Sequence, residues 1–238
     1  MWLVLCTTND LPALWAARGL AARGLQPLEV ITAEALAFNR SFEHRLLGSQ
    51  SNVRITLADG RVIDGANVRG ALNRLQMIPC SHLRTNSKDR QYAEQELFAL
   101  YLSWLYGLPG KILNRPTPQG LCGEWRHPSE WVWLANQAGL ATPRYSQSES
   151  QSALLLQLPA SSADRTIIVV DGICCGVTGP ERVMAGCVRL AQISATSLLG
   201  IDFRVAPDGQ WIFDKATPFP DLRLGGERFG DALAGALR

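Results

Sequence analysis

Leu199-Gly-Ile-Asp-Phe-Arg-Val-Ala-Pro-Asp-Gly-Gln-Trp-Ile-Phe-Asp-Lys-Ala-Thr-Pro218 alternates apolar and polar residues on both sides of Asp208-Gly209. This pattern predicts a β-hairpin, because Asp-Gly accepts the positive φ angles that a two-residue hairpin turn requires. Counting outward from such a turn places Asp202 directly opposite Lys215, and residues that pair across two strands share a face. We therefore expect a carboxylate and an ammonium to meet on one face, with Asp214 on the other.

Two further Asp-Gly dipeptides lie between short apolar segments, at Asp59-Gly60 and at Asp171-Gly172. The second of them is flanked by Thr166–Val170 and Ile173–Val177, which are rich in β-branched residues and predict another hairpin. Between this hairpin and the one at Asp208-Gly209, apolar residues recur at helical spacing and predict a helix within 179–199. The C-terminal third of the chain therefore reads hairpin, helix, hairpin.

This order resembles the C-terminal palm of ATP-grasp ligases, most closely the RimK-like and microviridin- or graspetide-type branch. These enzymes join a carboxylate to an amine through an acyl phosphate. Their palm strands read Gly-x-Asp-Phe and Phe-Leu-Glu-Val-Asn-Pro, in which the Asp, Glu and Asn hold the magnesium ions that bridge the ATP phosphates. When this family motif is aligned with the sequence without gaps, its Asp falls on Asp202, its Glu on Lys215, its Asn on Thr217 and its Pro on Pro218.

The resemblance implies that the strands around the metal site are retained but that residues able to bind the metal are replaced. Mg²⁺ prefers hard oxygen ligands, whereas the ammonium of Lys215 offers only hydrogen-bond donors. Asp202 and Lys215 would form a salt bridge where the family holds metal, and we expect neither a metal nor a cofactor. Mg-ATP is expected only if the chain is an active ligase. Residues near the same hairpin, Arg204 and Asp221, are candidates for a ligand cleft.

A second likeness to the family lies in residues 67–143. A helix predicted over Asp89–Leu108 precedes Lys111-Ile-Leu-Asn-Arg-Pro116, and a helix over Ser129–Leu140 precedes Pro143. Asn114 matches the asparagine at the end of the corresponding family strand. In the ligases a strand comparable to Val68–Ile78 ends in arginines near the cleft, so Arg69 and Arg74 either contact a substrate carboxylate or are surface residues.

The family's lid would begin after Pro143, and the sequence there does not resemble one. Residues 144–165 contain no glycine, and no lysine occurs between Lys111 and Lys215. A phosphate-binding loop needs close backbone approach and positive charge. The Ser- and Gln-rich stretch Ser146–Ser152 predicts a linker in place of the lid.

The N-terminal residues predict a small Rossmann-like α/β unit: a strand at Trp2–Thr7, a helix to about Arg23 and a strand at Leu28–Ile31. No G-x-G-x-x-G follows the first strand, so nucleotide binding by this unit is not indicated. The expected class is α/β (α+β), with this unit followed by an antiparallel palm sheet and packed helices. The expected domains are an N-terminal domain at 1–110, a connecting strand and helix at 111–143, the linker at 144–165 and the palm at 166–238.

Composition limits the possible partners and location. The chain has 238 residues, a formal net charge of +2 and only three lysines, with no basic cluster, so we expect no nucleic-acid partner. No apolar run reaches the ~20 residues of a membrane span. Met1–Cys6 lacks a basic segment, so we expect a cytoplasmic protein without a signal peptide. No C-x-x-C spacing occurs, and the six cysteines predict buried free thiols in a reducing compartment.

Three functions follow as hypotheses. The first is a catalytically degenerate ATP-grasp-like protein that binds a protein or peptide partner, in peptide modification or natural-product biosynthesis. The second is an active carboxylate–amine ligase whose lid comes from a partner subunit, or an enzyme that reuses the cleft. The third is a small-molecule-binding domain. A homodimer is an open alternative, because palm-mediated homodimers occur in the resembled family.

Overall fold

A computed structural model of the chain describes residues 1–47, 50–80, 87–148, 151–156 and 163–238. The chain divides into two compact units, one formed by Met1–Glu124 with Ala234–Arg238 and the other by Trp125–Leu233. Parallel and antiparallel sheets are both present, so the expected mixed α/β class is confirmed. No helix within the described ranges is long and apolar enough to cross a membrane.

The first unit contains two sheets. Its elements are β1 (Trp2–Cys6), α1 (Leu11–Ala22), β2 (Leu28–Thr32), α2 (Ala33–Ala37), β3 (Ser41–Leu47), β4 (Gln50–Thr56), β5 (Val62–Asp64), β6 (Gly70–Asn73), α3 (Ser87–Gly107) and β7 (Lys111–Leu113). The parallel sheet has the order β2-β1-β6-β7, and the antiparallel sheet has the order β3-β4-β5. The predicted β-α-β start is therefore confirmed.

Local chemistry explains how α1 begins. Asp10 is the N-cap residue, and its carboxylate accepts a hydrogen bond from the backbone N–H of Ala13 at 3.0 Å. Pro12 lies in the first turn, where its missing N–H costs nothing. After the helix, Gly24 takes a φ of 81°. Tyr101 and Trp104 of α3 are fully buried in the apolar core of this unit, which also contains residues of both sheets.

The second unit is built on the antiparallel sheet β11-β10-β12-β13. Its elements are α4 (Pro128–Gln137), β8 (Tyr145–Ser148), β9 (Gln151–Leu156), β10 (Ala163–Val170), β11 (Ile173–Gly176), α5 (Glu181–Ile193), β12 (Leu198–Val205), β13 (Trp211–Thr217), a 3-10 turn (Leu222–Gly225) and α6 (Gly226–Leu237), whose last residues belong to the first unit. Alternate residues of β10, β12 and β13 pack against α4 and α5 in one apolar cluster. On the opposite face, Ile168, Val170 and Leu198 are buried near one end of the sheet, and the polar residues Thr166, Asp202 and Arg204 follow toward the other end.

Several predicted boundaries are wrong. The first unit extends to Glu124 rather than to residue 110, because β7 joins its parallel sheet. The stretch predicted as a linker forms a hairpin, in which Tyr145 pairs with Leu156 and Ser148 with Gln151. Residues 149–150 and 157–162 of that interval lie outside the described residues. At the C-terminus the sequence predicts only a short helix over Asp231–Leu237, whereas α6 begins at Gly226.

Candidate functional site

The hairpin of β12 and β13 places Asp202 opposite Lys215, as predicted, although its turn is not the expected one. Ala206 N–H donates to Gln210 at 2.9 Å, so the loop has three residues, and only Gly209 has a positive φ, of 83°. Near this loop Phe203 pairs with Phe213, whereas one step further along Asp202 pairs with Lys215. Asp214 is therefore the extra residue of a β-bulge, which restores the expected register.

The two oxygens of Asp202 have different partners. Oδ1 accepts a hydrogen bond from the Thr166 hydroxyl at 2.7 Å, and Oδ2 lies 3.6 Å from Lys215 Nζ. The Lys215 side chain is 70% exposed and that of Asp202 is 31% exposed. An ion pair this open to water contributes about 0–1 kcal/mol to stability. The Lys215 ammonium therefore lies near the Asp202 carboxylate but is held there only weakly.

Arg204 organises the rest of this polar face. Its Nη1 lies 2.5 Å from Asp164 Oδ1, and its Nε lies 3.4 Å from Asp214 Oδ2. Arg204 and Asp202 are two residues apart on one strand and so share a face. The bulge turns Asp214 onto that same face, and the expectation that it points to the opposite one is wrong. Three carboxylates therefore alternate with two cations at this end of the sheet.

The remaining palm candidates serve local structure. Thr217 pairs with Gly200 on the same sheet, and its hydroxyl accepts a hydrogen bond from Phe219 N–H at 3.0 Å. Asp221 caps the 3-10 turn by accepting from Arg223 N–H at 3.1 Å, and it forms an ion pair of 2.6 Å with the Arg223 guanidinium. These contacts hold the chain where it leaves β13.

A magnesium ion of the kind that ATP-grasp ligases use does not fit these residues. Asp202 shares its oxygens with a hydroxyl and an ammonium, and the paired strand offers Lys215 and Thr217 where carboxylate and amide oxygens would be required. Within the described ranges, no group of three or more His, Cys, Asp or Glu side chains is placed to hold a metal. A cation beside Asp202 would also face the Lys215 ammonium at close range.

The candidates in the first unit occupy opposite edges of its parallel sheet. Arg74 follows β6 at the carboxyl edge and is only 2% exposed; its Nε lies 2.7 Å from Asp10 Oδ2 and its Nη2 lies 3.2 Å from Asp10 Oδ1. Arg69 precedes β6, is exposed, and stacks 5.1 Å from the centre of the Trp2 ring. Because open parallel sheets bind ligands at the carboxyl edge, Arg69 is on the wrong side for that role.

The carboxyl edge also holds a buried hydrogen-bond network. Asn73, at the end of β6, donates from its side-chain amide to the carbonyls of Asn114 at 2.9 Å and Leu121 at 2.6 Å. Asn73 and Asn114 are 1% and 2% exposed. Of the two alternatives for Arg74, the surface residue is therefore wrong, and the candidates Arg74 and Asn114 both lie in the interior of this edge.

Sequence reasoning missed four residues that complete these arrangements: Asp164, Thr166, Asp10 and Asn73. The first two are recoverable from strand periodicity, because alternate residues of β10 face the same side. The sequence around Asp10 indicates only that this residue caps a helix. It does not indicate that Asp10 pairs with Arg74, which lies 64 residues away.

The cysteines do not form a reactive site. All six are free, five of them are buried, and Cys174 is half-buried. Burial raises the pKa of the Cys6, Cys122 and Cys174 thiols to about 11. Thiols that stay protonated at neutral pH are poor nucleophiles and poor metal ligands.

The chain matches no protein-family model and no curated protein sequence. It is similar to solved structures along its whole length. The macrocyclase MdnC bound with the precursor peptide MdnA, from Microcystis aeruginosa MRC, matches with a TM-score of 0.77 at 13% identity, covering 100% of this chain and 99% of that one.

Two further structures match in the same way. The ATP-grasp ligase PsnB, complexed with a phosphomimetic variant of its minimal precursor, Mg and ADP, has a TM-score of 0.72 at 16% identity and covers 100% and 98% of the two chains. The RiPP-associated ATP-grasp ligase of Chryseobacterium gregarium, in complex with ADP and a leader and core peptide, has a TM-score of 0.71 at 10% identity and covers 99% and 96%. The chain has an ATP-grasp-type fold, as the sequence resemblance predicts.

Proposed function

We propose that this chain is a peptide-binding protein of a peptide-modification pathway, and that it does not itself assemble a magnesium–ATP site. The pairing of Asp202 with Lys215 carries the proposal. It brings an ammonium to the position that the resemblance assigns to an acidic magnesium ligand. Phosphoryl transfer depends on metal ions and fixed positive charge around the phosphates. On this palm face the cations Arg204 and Lys215 instead form ion pairs with carboxylates of the chain itself.

The peptide ligand is supported by the structures that share the fold. MdnC is bound with a precursor peptide, and the Chryseobacterium gregarium ligase holds a leader and a core peptide. A binding surface can persist after catalytic groups are lost, because shape and polar complementarity do not require the metal ligands. The free thiols fit a reducing compartment, which supports a cytoplasmic location.

A second candidate is an ATP-dependent carboxylate–amine ligase with a lid supplied by a partner subunit. The observation that favours it is the hairpin of β8 and β9, which supplies paired strands where the family's lid would begin, so that a partner subunit would have to add only the remainder of the lid. PsnB is complexed with Mg and ADP, and its chain is covered over 98% of its length. Under this candidate Asp202 and Asp214 would be the acidic residues that strands β12 and β13 offer to a metal.

Calorimetric titration with Mg-ATP, Mg-AMPPNP and MgCl₂ alone tests the proposal. We expect no heat of binding from the wild type. The variant Lys215→Glu/Thr217→Asn supplies the missing oxygen ligands and is expected to bind Mg²⁺. Arg182→Glu is the matched control, because it makes the same charge change at an exposed position on α5 and should bind no metal.

The same titration with peptides selected on the purified chain from a displayed random library tests the binding role. We expect selected peptides to bind without nucleotide, and with unchanged affinity when Mg-ATP is added. Micromolar binding of Mg-ATP to the folded wild type would overturn the proposal and favour the ligase. Failure of selection to yield any binding peptide would overturn the binding role.

A further inference from the structure

Basic residues that are far apart in the sequence meet at the amino edge of the parallel sheet in the first unit. Arg69 directly precedes β6, and Lys111 is the first residue of the neighbouring strand β7. Arg23 follows α1, and its carbonyl oxygen accepts a hydrogen bond from Arg238 Nη2 at 2.7 Å. The sequence contains no basic cluster, so this one is produced by the fold alone.

Trp2 and the end of α6 connect these residues. The Trp2 ring lies 5.1 Å from the guanidinium carbon of Arg69, and Trp2 Nε1 donates a hydrogen bond to Leu237 O at 3.4 Å. Gly70 pairs with Lys111, and a Cβ on Gly70 would lie 2.7 Å from that same Leu237 oxygen. The end of α6 is therefore seated against β1 and β6, and the basic side chains surround it.

Two of these cations carry charge that the described chain does not neutralise. Arg69 and Arg238 are exposed, and within the described ranges neither forms an ion pair with a carboxylate. The carbonyl end of α6 carries only about half an elementary charge, so it offsets a small part of the positive charge. On the palm face, by contrast, Arg204 and Lys215 both lie against carboxylates of the chain. The amino edge is therefore the place where this chain can attract an anion.

We propose that this amino edge, formed by Arg23, Arg69, Lys111 and Arg238, binds an acidic segment of the peptide partner. The inference rests on the proposed peptide-binding function and names the chemistry of the peptide. Guanidinium groups match the geometry of carboxylates and bind them through two hydrogen bonds. Neighbouring strands lie about 4.8 Å apart, so cations on different strands are spread out, and a segment with several carboxylates can reach more than one of them.

Titration of a fluorescently labelled, glutamate-rich peptide into the purified chain tests this inference by anisotropy. The matched probe is the same peptide with glutamine in place of every glutamate. We expect the glutamate peptide to bind at low ionic strength and the glutamine peptide not to bind. Added NaCl should weaken the binding progressively, because salt screens interactions between exposed charges.

Substitutions at the two ends of the same sheet locate the contact. Arg69→Gln and Arg238→Gln should each weaken binding by about two- to fivefold, the effect of losing an exposed ion pair. Arg69→Glu/Arg238→Glu should abolish it, and Arg69→Lys should keep most of the affinity because it keeps the charge. Arg115→Gln is the control, since Arg115 is exposed and follows β7 at the opposite edge; it should bind like the wild type. Circular dichroism confirms that each variant is folded.

Equal affinity for the glutamate and glutamine peptides would overturn the inference, and so would equal losses in Arg69→Gln and Arg115→Gln. Peptides selected on the chain that lack acidic residues and keep their affinity in Arg69→Glu/Arg238→Glu would also overturn it, while leaving the proposed function intact. Tighter binding of phosphatidylserine vesicles or of single-stranded DNA than of the glutamate peptide, lost in the same double variant, would assign this edge to phosphate groups instead.

Discussion

Ala195 has the left-handed backbone conformation that glycine usually takes at the end of a helix. Its φ is 51°, and it follows α5, where Thr196 N–H donates to Ala191 O at 2.9 Å and Ala195 N–H donates to Gln192 O at 3.1 Å. This Schellman pattern normally places glycine at the left-handed residue. We expect Ala195→Gly to stabilise the second unit by about 0.5–1 kcal/mol in urea unfolding, because the Cβ that causes the strain is removed.

The control for this substitution lies in the same helix. Ala185 is exposed in the interior of α5, where glycine costs about 0.5–1 kcal/mol relative to alanine. Ala185→Gly should therefore destabilise the unit while Ala195→Gly stabilises it. Equal losses from both substitutions would contradict the left-handed conformation at Ala195.

Arg74 and Asp10 form a buried ion pair, and the pair assigns Arg74 a structural role. Arg74→Met removes the cation and leaves the Asp10 carboxylate, 6% exposed, without its charged partner. Breaking a buried pair from one side costs about 3–5 kcal/mol. We expect a loss of that size in the free energy of unfolding, measured in urea.

Removing the other half of the pair should recover most of the loss. Asp10→Ser keeps a hydroxyl that can cap α1, so Asp10→Ser/Arg74→Met should be markedly more stable than Arg74→Met alone. If Arg74→Met unfolds at the same urea concentration as the wild type and only weakens peptide binding, Arg74 acts on the ligand instead.

The three Asp-Gly turns show how far local sequence predicts a hairpin. Asp171-Gly172 forms the two-residue turn with positive φ at both positions, 48° and 83°, and Val170 pairs with Ile173. At Asp208-Gly209 and Asp59-Gly60 only the glycine has a positive φ, and the loops have three residues. The dipeptide predicts that the chain reverses, because Asp and Gly both tolerate turn geometry, but it does not select the loop length.

The pairing of Asp202 with Lys215 was predicted correctly from a turn that the chain does not form. The three-residue loop shifts the register by one residue, and the bulge at Asp214 shifts it back. Burial explains the result, because Phe203 and Phe213 both face the apolar cluster and Ile201 faces Ala216 on the same side. These apolar residues are buried only in a register that places Ile201 opposite Ala216, and the bulge allows the strands to adopt that register despite the three-residue loop.

The segment of β8 and β9 could not be recognised from its composition. Serine and glutamine residues are typical of linkers, but the described strands pair Ser146 with Leu155 and Ser148 with Gln151. The apolar run in β9 is the only strand signal, and its partner strand has none. Pairing can order a polar strand through backbone hydrogen bonds, which composition does not report.

The division of the chain into two units depends on long-range contacts that no local sequence pattern predicts. The sequence predicts a boundary at residue 110, just after the helix that Gly107 and Pro109 end. The chain nevertheless returns to the first unit, because β7 pairs with β6 and Asn73 binds the carbonyls of Asn114 and Leu121. Side-chain bonds across more than forty residues have no local pattern, so only the order of elements was predictable.

The C-terminal residues Ala234–Arg238 belong to the first unit although α6 begins in the second. Trp2 Nε1 donates to Leu237 O at 3.4 Å, and Arg238 donates to Arg23 O at 2.7 Å. Because Leu237 and Ala236 are buried, deletion of residues 234–238 removes apolar contacts as well as these bonds. Burial of such a side chain contributes up to about 3 kcal/mol to stability. Because loss of this burial lowers the free energy of local opening, we expect hydrogen exchange at the amides of β1 and β6 to become faster.

Two glycines separate this contact from a general effect on α6. A Cβ at Gly70 would lie 2.7 Å from Leu237 O, whereas a Cβ at Gly235 would meet no atom within 4 Å. Gly70→Ala should therefore speed exchange in β1 and β6 much as the deletion does. Gly235→Ala should leave exchange there unchanged or slower, because alanine favours the helix. If the deletion speeds exchange only in β10 and β12, the C-terminal residues support the second unit, and their assignment to the first is wrong.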